Sequence, residues 1–76
     1  MITVKLYGLL RIESGIREKQ LEAATVADVL DALAAWGIPK GDLKGCVILL
    51  NGISASKRTK LKNGDTVILM SPVAGG

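Results

Sequence analysis

Apolar and polar side chains alternate along the opening of the chain. In MITVKLYG, Ile2, Val4 and Leu6 fall on one side, and Thr3, Lys5 and Tyr7 on the other. Period-two alternation predicts a strand with one buried face. Gly8 and Gly15 bound LLRIES, and a short segment between two glycines reads as a hairpin connection. IREKQLEA then predicts a second, more polar strand, anchored by Leu21 and Ile16.

The period then changes. In TVADVLDALAAWG, Val26, Val29, Leu30, Leu33 and Trp36 recur every three or four residues, which makes one apolar stripe on a helix. Thr25 stands at the N-cap position, and Asp28 follows three residues later as a capping-box acid. Gly37 suits the left-handed position after a helix, and Pro39 prevents continuation. IPKGDLKG reads as a loop. CVILLNG predicts a short, well-buried strand closed by a turn pair. ISASKRTKLKNGDT reads as loop with short strand or single-turn content, and Asn63-Gly64-Asp65 as a turn. TVILMSPV is the last strand, and Pro72 ends its regular pairing.

The order strand, strand, helix, strand, loop, strand predicts an α+β fold. One main helix must cover one face of a mixed sheet of four to five strands, since neither can bury its apolar side alone. The first two strands pair, a helical crossover follows, and the first and last strands lie together at the centre. Residues 1–76 are expected to form one domain, with 72–76 as a flexible C-terminal tail. If Ile2, Val4, Leu6, Ile48, Leu50, Val67 and Leu69 face the helix, then Tyr7, Leu49, Ile68 and Met70 face away. An apolar patch near the tail would mark a partner surface, and a methionine within it repacks easily. The competing readings are loops that cover these residues, or a strand phase shifted by one.

Composition narrows the chemistry. No apolar run nears the roughly 18 residues of a membrane span, so a soluble, cytoplasmic protein without membrane contact is expected. The single cysteine, Cys46, cannot form an internal disulfide, which fits a reducing compartment. With no histidine and one cysteine, a protein-built zinc or iron–sulfur site is not expected, and no metal is assigned. A net charge of +3 invites a nucleic-acid reading, but one Tyr and one Trp make a poor stacking platform. No phosphate-binding glycine motif is present, and the carboxylates show no pairing for acid–base work. The chain is therefore expected to carry no catalytic machinery of its own and to bind no cofactor itself.

Three smaller features have competing readings. Cys46 reads as a persulfide acceptor or, preferably, as a small hydrophobe on a buried strand. Lys57, Arg58, Lys60 and Lys62 read as a solvated loop, or as a docking patch for an acidic surface. PKGDLKG resembles a phosphate cradle, but a loop between helix and strand explains it better.

The chain closes on SPVAGG. Two glycines add nothing to a core, so this end is either inert or useful because it is bare. Together, ITVKLYGLLR, with Tyr7 and Arg11, and NGDTVILMSPVAGG resemble the MoaD/ThiS family of ubiquitin-like sulfur carriers, over nearly the whole chain. The Pro72-Val73-Ala74-Gly75-Gly76 end resembles the molybdopterin-type members most. Ser71 departs from the first proline of that pattern, and Leu69 and Met70 stand where aromatics are common.

The resemblance implies a ubiquitin-like β-grasp fold and a role as sulfur-donating co-substrate, the small subunit of a molybdopterin synthase. It implies Gly76 as the site of adenylation and thiocarboxylate formation, with Gly75 beside it. Tyr7, Arg11, Leu49, Ile68, Met70, Pro72, Val73 and Ala74 would meet partners. Those partners would be a MoeB-like adenylating enzyme that uses ATP, a cysteine desulfurase or rhodanese-type sulfur donor, and the large synthase subunit. A carrier for thiamine or another thio-metabolite, and a protein modifier, are the alternatives. The tail chemistry has its own logic. A carboxylate is a poor electrophile until adenylated, and the adenylating site must enclose the carbonyl closely. Only a side-chain-free backbone threads so narrow a channel. Five extended residues reach about 16 Å, enough to enter a neighbour's active site.

Overall fold

The computed structural model describes residues 1–71, so the expectations for residues 72–76 lie outside the described residues. Strands β1 (Ile2–Tyr7), β2 (Glu18–Leu21), β3 (Val47–Leu50), β4 (Ile53–Ser54) and β5 (Thr66–Met70) form one sheet in the order β2-β1-β5-β3-β4. The pairing of β1 with β5 at the centre is parallel, and the other pairings are antiparallel. This is the mixed sheet of the expected α+β fold, with five strands.

The main helix is α2 (Val26–Ala35). Thr25 caps it as expected. Its hydroxyl accepts from Asp28 N–H at 3.3 Å, and the Asp28 carboxylate accepts from Thr25 N–H at 3.1 Å. Val26, Val29, Leu30 and Leu33 are buried. They pack with Ile2, Val4 and Leu6 of β1, Leu21 of β2, and Val67 and Leu69 of β5. Ile16 joins this core from its edge. Burial of about 25 cal/mol per Å² of apolar surface is the main force that binds helix to sheet.

Four sequence expectations are corrected. Residues 9–14 are not a bare hairpin connection but a short helix, α1 (Leu9–Ser14). Gly15, at φ +73, ends it by donating from its N–H to the Arg11 carbonyl, and Leu10 pins it to the core. The IPKGDLKG loop contains a second short helix, α3 (Lys40–Lys44), anchored by Leu43 and preceded by Pro39. Trp36 leaves the α2 stripe. It is 44% exposed and lies under the Lys19 ammonium, 5.6 Å from the ring centroid. A large amphipathic ring at a helix end is stable half in water when a cation covers its face. Last, β3 is not well buried: Ile48 and Leu50 pack against the core edge only in part, and Val47 is exposed.

The β3–β4 turn is a two-residue hairpin. Asn51 and Gly52 both have positive φ, at 50° and 86°, the signs of the type I′ turn that matches strand twist. Asn51 also braces the start of β5. Its backbone N–H donates to the Thr66 carbonyl at 2.9 Å, and its side-chain carbonyl accepts from Thr66 N–H at 3.0 Å.

Candidate partner-docking site

Because β1 and β5 run parallel, their C-terminal ends lie side by side. Tyr7 pairs with Met70, and on the other side of β5 Met70 pairs with Val47. Side chains at paired positions share a face, and neighbours along a strand alternate. Leu6, Val67 and Leu69 are buried under α2, so Tyr7, Met70 and Val47 form a row on the opposite face. The next row on that face runs Glu18, Lys5, Ile68, Leu49 and Ser54 across all five strands. A third holds Gln20, Thr3 and Thr66. The outer face is thus polar at the start of β5 and apolar at its end.

Tyr7 is 40% exposed and Val47 43%, while Leu49, Ile68 and Met70 are half-buried. The strand phase is therefore the one read from the alternation, and Tyr7 and Val47 stay open to solvent. An apolar row next to a polar field is a surface that gains by losing water. Lys5 and Glu18 lie across the ladder from each other at its margin.

Of the expected site residues, Tyr7, Leu49, Ile68 and Met70 come together on this face. Arg11 does not belong to its rows. It sits half-buried on α1, off the sheet ladder. Pro72, Val73, Ala74, Gly75 and Gly76 lie outside the described residues. Val47 is the residue that sequence reasoning missed. The signal was present, because Val47 shares the phase of Leu49, which the alternation already turns outward.

The other candidates settle into place. Cys46 lies just before β3, half-buried, and its thiol donates to the Leu43 carbonyl at 2.9 Å. Burial raises its pKa above the ordinary thiol value, so little thiolate forms for sulfur chemistry. Lys57, Arg58, Lys60 and Lys62 are exposed on a segment whose backbone is tied to α2. The carbonyls of Lys57 and Thr59 accept from Ala27 and Val26 N–H, each at 3.0 Å. The loop is held, and its charged side chains are exposed. Among the described residues, no three acidic or thiol groups converge as a metal set, and no helix is long and apolar enough to cross a membrane.

The ThiS family model matches residues 4–76. No match occurs among curated protein sequences. Among solved structures, small archaeal modifier protein 1 from Methanosarcina acetivorans is 32% identical, with a TM-score of 0.81 and coverage of 99% of this chain and 95% of that one. The protein of the same name from Haloferax volcanii is 28% identical, with a TM-score of 0.82 and coverage of 99% and 98%. A chain of the complex of subunits 1 and 2 of the molybdopterin-converting factor from Helicobacter pylori is 26% identical, with a TM-score of 0.75 and coverage of 99% and 97%. A β-grasp sheet with its apolar outer row beside the end of β5, matched by a family model through residue 76, places the chain in the ThiS family of ubiquitin-like sulfur carriers.

Proposed function

We propose that this chain carries sulfur on its C-terminal carboxylate and donates it in the biosynthesis of the molybdopterin-type molybdenum or tungsten cofactor. The observation that supports this most is the Tyr7–Met70–Val47 row, which lies where β5 hands over to the tail. A partner that docks on this row is already beside the segment that carries the reacting group. The Gly76 carboxylate attacks ATP in the partner's site, pyrophosphate leaves, and an acyl adenylate forms. A sulfur nucleophile from the donor attacks the carbonyl carbon and displaces AMP. That nucleophile is the terminal sulfur of a donor persulfide, so the product is an acyl disulfide; a second donor thiol then attacks the donor-side sulfur, forming a disulfide on the donor and releasing the thiocarboxylate. Gly75 lets the backbone pass close to the enzyme. Pro72, Val73 and Ala74 span the approach, and Tyr7, Leu49, Ile68 and Met70 supply the docking face, with Arg11 as a flanking charge. The chain is a macromolecular co-substrate in the cytoplasm. Its partners are a MoeB-like adenylating enzyme, a cysteine desulfurase or rhodanese-type donor, and a synthase large subunit like the second subunit in the Helicobacter pylori complex.

ATP–pyrophosphate exchange with the adenylating enzyme tests this. Deleting Gly76 should abolish exchange while the far-ultraviolet spectrum and melting temperature stay at wild-type values. Exchange that persists in the truncated chain would refute the assignment.

A second reading is favoured by the two relatives that are named modifier proteins. In it, the activated Gly76 acylates lysine side chains. Isopeptide-linked adducts ending in Gly76 would establish it. Capture of a thiazole synthase in place of a molybdopterin synthase subunit would keep the chemistry and change the pathway.

A further inference from the structure

Ser71 ties the end of the sheet to the start of α1. Its Oγ accepts a hydrogen bond from Leu9 N–H at 2.7 Å. The first N–H groups of a helix have no partner within it. The residue before α1 is Gly8, which has no side chain to offer. The acceptor comes instead from a residue 62 positions further along the chain.

Gly8 is fitted to this contact in two ways. Its backbone has φ 66° and ψ −144°, which glycine adopts readily and other residues rarely do. A Cβ at Gly8 would also lie only 2.5 Å from Ser71 Oγ. Ser71 itself follows the last paired position of β1 and β5, Tyr7 with Met70. Its hydroxyl therefore makes the first tie after the sheet ladder stops, at the point from which the tail departs.

We propose that the Ser71–Leu9 hydrogen bond is a positioning device that holds the root of the tail against α1, beside the Tyr7–Met70–Val47 row. A held root leaves the partner less chain freedom to remove on binding. Ser71 acts through the segment that it anchors. The bond is open to solvent, so water replaces it in part when it is lost, and the effect is modest. The consequence for sulfur loading rests on the reading under Proposed function; the anchoring does not.

The test compares the full-length chain with Ser71→Ala and Ser71→Thr. In Ser71→Ala, hydrogen exchange at the Leu9 amide should quicken and the backbone order parameter at Ser71 should fall. The KM for adenylation should rise roughly fivefold, the size expected for one exposed hydrogen bond, with kcat unchanged. Ser71→Thr keeps the hydroxyl and should restore all three. Wild-type exchange and order in Ser71→Ala would overturn the anchoring, and an unchanged KM beside a loosened root would overturn its role in positioning. If even the wild-type chain is not adenylated, the sulfur-carrier reading fails, and the Leu9 and Ser71 measurements alone decide the anchor.

Discussion

Leu69 shows how much one side chain carries. It is fully buried and pairs with Leu6 on one side and Ile48 on the other. Leu69→Ala leaves a void that a small core cannot close, and should cost about 3 kcal/mol. That is a large part of the roughly 5–15 kcal/mol that holds a domain. A lowered denaturant midpoint with an unchanged m-value would confirm it. Asp65 gives stability a pH dependence. The Lys62 backbone N–H donates to its carboxylate at 2.7 Å and the Asn51 side-chain amide at 3.0 Å, and these bonds lower its pKa below the ordinary value. A lowered folded pKa means that the unfolded chain takes up the proton first as pH falls. The contribution is complete above the ordinary carboxylate pKa of about 4 and fades as pH drops below it. Asp65→Asn should therefore flatten the melting temperature between about pH 2 and 5. An unaltered acid limb would show that the carboxylate contributes nothing. The residues that misled sequence reading are amphipathic or in unbroken runs. Trp36 has the right spacing for the α2 stripe, but it stands at the C-cap, past the last helical residue, under a cation from another strand.

At the scale of elements, legibility followed length. The ten residues of α2 repeat their stripe and carry a capping box, so its position and ends were readable. The helices α1 and α3 have six and five residues, each with one buried leucine, and a single anchor has no period. Gly8 and Gly15 punctuate the sequence, but glycines that open and close a helix look the same as glycines that flank a loop. The capping box gives a direct check. Thr25→Ala removes the acceptor for Asp28 N–H and should cost about 1 kcal/mol, lowering the melting temperature by several degrees. A change within error would mean that solvent caps α2 equally well. In α1, Gly15→Ala forces a Cβ into the left-handed region and should destabilise by about 1 kcal/mol, although nothing lies within 4 Å of that Cβ. Because the space is open, steric clash is excluded as the cause, and backbone conformation is what the variant tests.

For the molecule as a whole, the central placing of β1 beside β5 was legible from two aliphatic strands at the chain's ends and one crossover helix. The outer face was half legible. Alternation in β1 placed Tyr7, and the phase read for the unbroken apolar runs of β3 and β5 placed Leu49, Ile68 and Met70 but left Val47 unnamed. Arg11, expected in the connection after the first strand and at the rim of the partner surface, belongs to α1. The face makes a claim of its own. Tyr7→Ser with Val47→Lys changes side chains that are already about two-fifths exposed, so folding should be little affected. Affinity for the adenylating enzyme should fall roughly tenfold, as for loss of an interface anchor. Titration calorimetry with the wild-type and double-variant chains would show it, and equal affinities would mean that partners use another surface. The proposed function assigns the reacting group to the Gly76 carboxylate. Its chemistry is read most directly from intact mass, after incubation with the adenylating enzyme, ATP and a sulfur donor. The expected result is a gain equal to one oxygen replaced by sulfur, located by fragmentation at Gly76. Wild-type protein that returns from that mixture with its mass unchanged, or with the sulfur on Cys46, would contradict the assignment.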